Sequence, residues 1–203
     1  MATIGSLTLD APDTSAAKSF YNQLGIDAHV SVAEAPTPGT GFRGYTLSLV
    51  VSQPNIVDAF VEAALVAGAT VLKPVKKSLW GYGGVVQAPD GAILKVATSS
   101  KKNTGPAERR FDDIVLLLGV DDVKASKQFY VDRGLEVAKA YGRKYVEFAT
   151  EPGTVKLALY GRRALAKDAG VAEAGTGAHG IVIGSDLPAF TDPDGFMWET
   201  TAR

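Results

Sequence analysis

The chain has 203 residues, 46% of them hydrophobic and 21% charged, a composition that fits a folded globular protein and excludes a disordered one. Lys and Arg number 21 against 22 Asp and Glu, so no global positive field exists to hold a polyphosphate, and no nucleic-acid partner is expected. There is no cysteine, which excludes disulfides, thiolate metal sites and a cysteine nucleophile, and suits a reducing, cytoplasmic setting.

In chain order, Ile4 to Leu9 alternates, with Ile4, Ser6 and Thr8 on one side and Gly5, Leu7 and Leu9 on the other, the period of a half-buried strand. With a strand so early, no charged and apolar leader that would export the chain is expected. No stretch approaches the roughly 18 apolar residues of a membrane span, so no membrane partner is expected. Asp13 opens a helix to Leu24, because its side-chain oxygen accepts from free first-turn amides, and Gly25 closes it. Strands are predicted over 27–34 and 44–51. A second helix runs from Pro54 to Gly68, with Ile56, Phe60 and Ala63 or Ala64 as its buried stripe. Strands over 69–72, 83–88 and 92–98 complete the first half. Ser99 to Arg110 is polar, charged and carries Gly-Pro, so it reads as a linker. The second half predicts a strand over 112–119, a helix from Asp122 to Gly134 and strands over 135–141, 144–149 and 154–160, with a hairpin around Glu151-Pro-Gly153. A short helix at 162–168 and strands at 179–184 and 196–201 end the chain.

The two halves repeat each other. Asp13, Ala16, Lys18, Phe20, Tyr21 and Gly25 recur 109 residues later as Asp122, Ala125, Lys127, Phe129, Tyr130 and Gly134. Gly39-Thr-Gly-Phe-Arg-Gly44 recurs 136 residues later as Gly175-Thr-Gly-Ala-His-Gly180, and Ala88-Pro-Asp-Gly91 recurs 104 later as Asp192-Pro-Asp-Gly195. The unequal offsets mean that each copy carries a segment the other lacks. The order of strand, helix, then several strands in both copies gives an α+β fold of curved mixed sheets in two degenerate pseudo-repeats. The boundaries read as 1–98 for the first copy, 99–110 for the linker and 111–203 for the second copy.

Both glycine turns match GxGxxG, but a dinucleotide site needs a helix after the glycines to receive the pyrophosphate. Strands follow instead, so the glycines are read as positive-φ hinges where the chain enters a sheet. Two histidines and no nucleophile elbow give no Ser-His-Asp constellation. His29 shares a strand face with Ser31 and reads as a polar surface residue.

The strand followed by D..A.K.FY...G in both copies, AGATVLKP (67–74) before LWGYGG (79–84), and APDGAILKV (88–96) with DPDGFMWET (192–200) together resemble the vicinal oxygen chelate superfamily. That superfamily includes glyoxalase I, bleomycin-resistance proteins and extradiol dioxygenases. The resemblance implies tandem βαβββ-type modules, each a half-barrel cupping a ligand. Against a full family domain, copy one lacks the two strands before its Gly-Thr-Gly turn and copy two lacks its second helix, so the halves complete each other in one chain or across a homodimer.

The family's enzymes hold a divalent metal on first strands and on a Glu four residues after the Gly of the DPDG turn. Those positions fall on about Ser6 and Lys95 in copy one and on about Val115 and Glu199 in copy two. An ammonium repels a cation and valine has no lone pair, so no cofactor is expected; Glu199, with His179 out of register, is the weak remainder of a metal set. Glu199 reads equally as a carboxylate paired with a neighbouring Arg or Lys, or solvated. The resemblance further implies that Phe42, Trp80, Tyr82, Tyr160 and Trp198 line an apolar pocket with Arg43, His179 and Glu199 as its polar groups, the composition of small-molecule sites. Trp80 reads alternatively as a core plug at the end of its sheet.

The resulting expectation is a glyoxalase/bleomycin-resistance-like protein that binds a small organic, aromatic ligand or antibiotic between pseudo-repeats without an intact metal centre, its catalytic residues unassigned. Two alternatives stand beside it. One is a lyase, isomerase or dioxygenase of the same superfamily using one divalent metal ion; the other is a non-catalytic interaction protein whose cup is filled by side chains.

Overall fold

The computed structural model describes residues 2–35 and 40–201. Gly39, the first residue of the first glycine turn, lies outside them. The chain begins with β1 (Ile4–Ala11), α1 (Thr14–Leu24), β2 (Val30–Glu34) and the two-residue β3 (Thr40–Gly41). A complete strand–helix–three-strand unit follows: β4 (Tyr45–Val50), α2 (Pro54–Val66), β5 (Thr70–Ser78), β6 (Gly81–Gln87) and β7 (Ile93–Thr98). A second complete unit comprises β8 (Asp113–Val120), α3 (Val123–Val131), β9 (Val137–Tyr141), β10 (Tyr145–Phe148) and β11 (Lys156–Gly161). The remainder is α4 (Arg162–Ala169), β12 (Gly175–Thr176), β13 (Ile181–Ser185), β14 (Phe190–Thr191) and β15 (Met197–Thr200).

The helix starts obey their capping chemistry. Asp13 accepts from the Ala16 amide at 2.9 Å and Asp122 from Lys124 and Ala125 at 2.8 and 3.1 Å. Gly25 closes α1 in the left-handed region at φ 70°. The second repeat helix is shorter than its sequence predicts, ending at Val131, before Gly134. In β1 a register shift between Ile4 and Ser6 moves Ile4 onto the buried side with Leu7 and Leu9, against simple alternation.

In each complete unit the last strand lies beside the first in parallel, β7 on β4 and β11 on β8. The other two units are truncated in complementary ways. In the first, β2 takes the last-strand place beside β1 and the two middle strands are missing. In the last, β15 lies parallel to β13, but no helix connects them. The first strands then join the units in antiparallel pairs, β4 with β8 and β1 with β13. An eight-stranded sheet in the order β5-β6-β7-β4-β8-β11-β10-β9 and a five-stranded sheet in the order β14-β15-β13-β1-β2 result, each drawing strands from both halves of the chain. The sheets are curved and unclosed.

One apolar core joins them. Leu7, Leu9 and Ile183 of the smaller sheet and Leu47, Leu116 and Leu159 of the larger are buried with Phe20, Phe60 and Tyr130 of the helices. The two repeated signatures meet through hydrogen bonds in this core. The Tyr21 hydroxyl of α1 donates to Asp90 at 2.6 Å in the β6–β7 turn, and Tyr130 of α3 donates to Asp192 at 2.5 Å in the β14–β15 turn. The twin glycine turns pair with each other as β3 and β12, with the hydroxyls of Thr40 and Thr176 2.7 Å apart. Gly41, Gly44, Gly177 and Gly180 all have positive φ, between 64° and 88°, which is why glycine occupies them.

The connection from Ser99 to Asp112 carries no regular element, but it is pinned. The buried Gln53 accepts from the amides of Thr104 and Gly105 and the Thr104 hydroxyl, and donates to the carbonyls of Gly105 and Pro106. Among the described residues no helix is long and apolar enough to cross a membrane.

Candidate functional site

Strand alternation sends one face of the eight-stranded sheet into the helices and leaves the other as a concave surface. Across its four central strands, Lys95, Ser48, Val115 and Lys156 stand in one row, each paired in register with the next. Two of them, Lys95 and Val115, were expected from the sequence at metal-ligand positions; Ser48 and Lys156 were not. The signal that finds them is that 45–98 and 113–161 are each a complete strand–helix–three-strand unit, so Ser48 and Lys156 are the first- and last-strand partners of the other two. Ser6, assigned with Lys95 to one copy, lies in the other sheet, where Ser6, Gly184 and Glu199 are register partners.

The residues do not fit a divalent cation. The larger sheet offers two ammonium groups, one hydroxyl and one hydrocarbon at its four positions, and the smaller offers a hydroxyl, a glycine and the lone carboxylate Glu199. A metal site needs about three or four lone-pair donors. Among the described residues no three of His, Asp and Glu converge.

Helix α4 occupies the concave face of the larger sheet. Leu165, Ala166 and Ala169 pack on Phe42, Val85 and Ile93 in a second apolar cluster, with Leu72, Leu117 and Tyr160 at its margin. The C-terminal end of α4 is anchored to the strands. Lys73 donates to the carbonyls of Lys167 and Asp168 at 2.7 and 2.5 Å, satisfying free acceptors at the negative pole of the helix. Lys95 pairs with the Asp168 carboxylate at 2.6 Å. On the far side of the helix the face closes on itself. Lys156 pairs with Asp113 at 3.0 Å and lies 3.9 Å from Glu147, which accepts from the Tyr145 hydroxyl at 2.8 Å.

On the near side a cleft of about 260 Å³ remains between β5, β6, β7 and the end of α4. Lys73, Lys76, Trp80, Gly83, Lys95 and Asp168 are among its walls. Trp80 stands at the β5–β6 turn with 85% of its surface exposed. Gly83 lines the cleft, and a side chain there would meet the Val96 carbonyl of the neighbouring strand at 2.8 Å. The glycines of this run thus serve close approach of neighbouring strands.

Of the eight residues expected to line one pocket, only Trp80 and Tyr82 border this cleft. The Tyr82 hydroxyl is committed to Asp58 of α2 at 2.7 Å, and that hydrogen bond pushes the phenol up from its ordinary value. Phe42 and Tyr160 pack against α4. The Arg43 guanidinium is buried and donates to the carbonyls of Asp10 and Asp90 at 3.2 and 2.6 Å, so it tethers backbone. His179 lies between the carbonyls of Arg43 and Asp194, at 2.5 and 2.9 Å, and stacks on Phe196. Trp198 is buried against Phe190 and Tyr130, while Glu199 is exposed on the opposite face of β15. Neighbours on a strand point to opposite faces, which forbids Trp198 and Glu199 from sharing a pocket. His29 sits in the turn before β2, edge-on to Phe111. Sequence reasoning missed Lys73, Lys76 and Asp168, whose roles depend on where α4 docks.

No family model matches the sequence, and no curated protein matches it. Among solved structures the chain is similar to glyoxalase I from Zea mays, at 13% identity over 98% of this chain and 92% of that one, with a TM-score of 0.62. It is also similar to a dioxygenase-like protein from Bacillus subtilis subsp. subtilis str. 168, at 14% identity over 95% of this chain and 71% of that one, with a TM-score of 0.55. The shared architecture is the curved, paired βαβββ module, and the chain therefore carries the vicinal oxygen chelate fold.

Proposed function

We propose that the protein binds a small organic ligand with an aromatic group in the cleft beside Trp80, by contacts of its own side chains and without a metal centre. The observation that carries this reading is the cleft itself: an exposed indole on its rim, glycines among its lining residues and charged groups converging from two strands and a helix end. A concave site with apolar surface and a few directed polar groups is the general form of small-molecule sites. At 260 Å³ it is just under the roughly 300 Å³ at which such pockets usually begin, which suits a ligand of one or two rings.

The packing of α4 into the cup favours a second reading, an interaction protein with a filled cup. Intrinsic fluorescence separates the two. Trp198 is buried and Trp80 exposed, so an aromatic compound in the cleft quenches the Trp80 emission, and Trp80→Phe abolishes that quenching. Trp80→Ala weakens binding read by calorimetry by about 1–2 kcal/mol, roughly 5- to 30-fold. If a panel of one- and two-ring acids, amides and amines leaves both emission and melting temperature unchanged, the binding reading fails and the filled-cup reading takes its place.

A further inference from the structure

We infer that the cleft selects an anionic aromatic compound, an aryl carboxylate, and that the Asp168 carboxylate occupies the ligand's anion position until the ligand displaces it. This rests on the reading of the cleft as a ligand site and adds the charge of the ligand and the residue it competes with.

The side chains carry the argument. Three ammonium groups, Lys73, Lys76 and Lys95, line the cleft against one carboxylate, Asp168. Lys73 is engaged by the helix-end carbonyls. Among the described residues Lys95 is held by Asp168 alone, at 2.6 Å, with 35% and 42% of the two side chains exposed. Lys76 is exposed, and its ammonium group makes no hydrogen bond or ion pair among the described residues. The cleft thus carries a net positive charge in a chain whose formal charge is −1, so the positive charge is a local arrangement.

A half-exposed ion pair is held weakly, because water competes for both partners. A ligand carboxylate that reaches Lys95 replaces the Lys95–Asp168 pair with an equivalent one, gains Lys76 as a second cation and stacks its ring beside Trp80. Asp168, released, turns to solvent at the end of α4 while Lys73 continues to hold the helix carbonyls. A neutral ligand of the same shape gains the ring contact but leaves the ion pair intact, and a cation meets Lys76 unopposed.

The experiment measures 2-naphthoate and its neutral isostere 2-naphthamide by calorimetry at low and high salt. The acid binds the wild-type protein at least about tenfold more tightly than the amide, and salt weakens the acid alone. Lys76→Met and Lys95→Met each weaken the acid about tenfold and leave the amide unchanged. Asp168→Asn strengthens the acid severalfold, with folding checked by melting temperature. Equal affinity of acid and amide overturns the anion assignment while leaving aromatic binding in the cleft standing. Acid affinity unchanged by Asp168→Asn overturns the displacement. Binding of neither compound overturns the inference together with the reading on which it rests.

Discussion

Tyr130→Phe tests whether the hydroxyl of the repeated tyrosine locks each half of the fold. The ring of Tyr130 is fully buried beside Trp198 and Phe148, and the substitution keeps that packing. What it removes is the 2.5 Å hydrogen bond to the Asp192 carboxylate, itself 5% exposed and held otherwise by the amides of Asp194 and Phe196. Losing a donor to a buried charged acceptor that water cannot reach costs about 2–3 kcal/mol. At about 2–4 °C per kcal/mol for a chain of this size, Tm falls by about 4–12 °C. Burial already pushes the Asp192 carboxyl up from its ordinary value, while the Tyr130 hydroxyl pulls it down. Without the hydroxyl the carboxyl rises further. The folded state then prefers the protonated acid more strongly, so the penalty is full at neutral pH and shrinks as pH falls toward the ordinary Asp value of about 4. Urea unfolding followed by circular dichroism at neutral and mildly acidic pH measures both effects. A variant within about 0.5 kcal/mol of wild type at neutral pH refutes the lock, and a loss that does not shrink on acidification refutes the role given to Asp192.

Three further outcomes follow from the same physical description. Burial pushes the phenols of Tyr21, Tyr45, Tyr130 and Tyr145 up, and the neighbouring carboxylates Asp90, Asp192 and Glu147 add to the shift at Tyr21, Tyr130 and Tyr145. The unfolded chain therefore gives up these protons first, and stability present below about pH 10 is lost above it, as a pH series of melting temperatures will record. Gln53→Ala removes the side chain that pins the 99–112 connection and lowers stability by about 1–2 kcal/mol in urea unfolding, while Asn55→Ala, on an exposed contact of the same connection, costs less. Residues 1–103 expressed alone give insoluble or oligomeric material, because β1 loses β13 and β4 loses β8, leaving two sheet edges unpaired; a monomeric fragment with a sharp unfolding transition contradicts this.

The local elements were legible in the sequence because their signals are local. Asp13 and Asp122 cap, Gly25 closes, and β10 and β11 form the hairpin expected around Glu151-Pro-Gly153. The complementary deletions were legible too, since unequal offsets between repeated signatures measure them. Which halves pair was not, because β1 and β13 are distant in the chain and nothing local encodes their register. The site failed for two different reasons. The docking of α4 into the cup is a tertiary event, so Lys73 and Asp168 carried no mark of their meeting. The Trp198–Glu199 assignment, by contrast, could have been rejected from strand period alone: Phe196 and Trp198 are buried while Met197 and Glu199 are exposed. Trp80 and Trp198, alike in composition, were separated only by the fold, one on a turn and one in the core.

The most direct test of the central claim is a crystal structure of the protein soaked with 2-naphthoate. The ligand should lie in the cleft with its ring beside Trp80 and its carboxylate on Lys95, with Asp168 turned away and α4 still seated on Phe42, Val85 and Ile93. Density for the ligand in place of α4, or on the open face of the five-stranded sheet beside Glu199, contradicts the account.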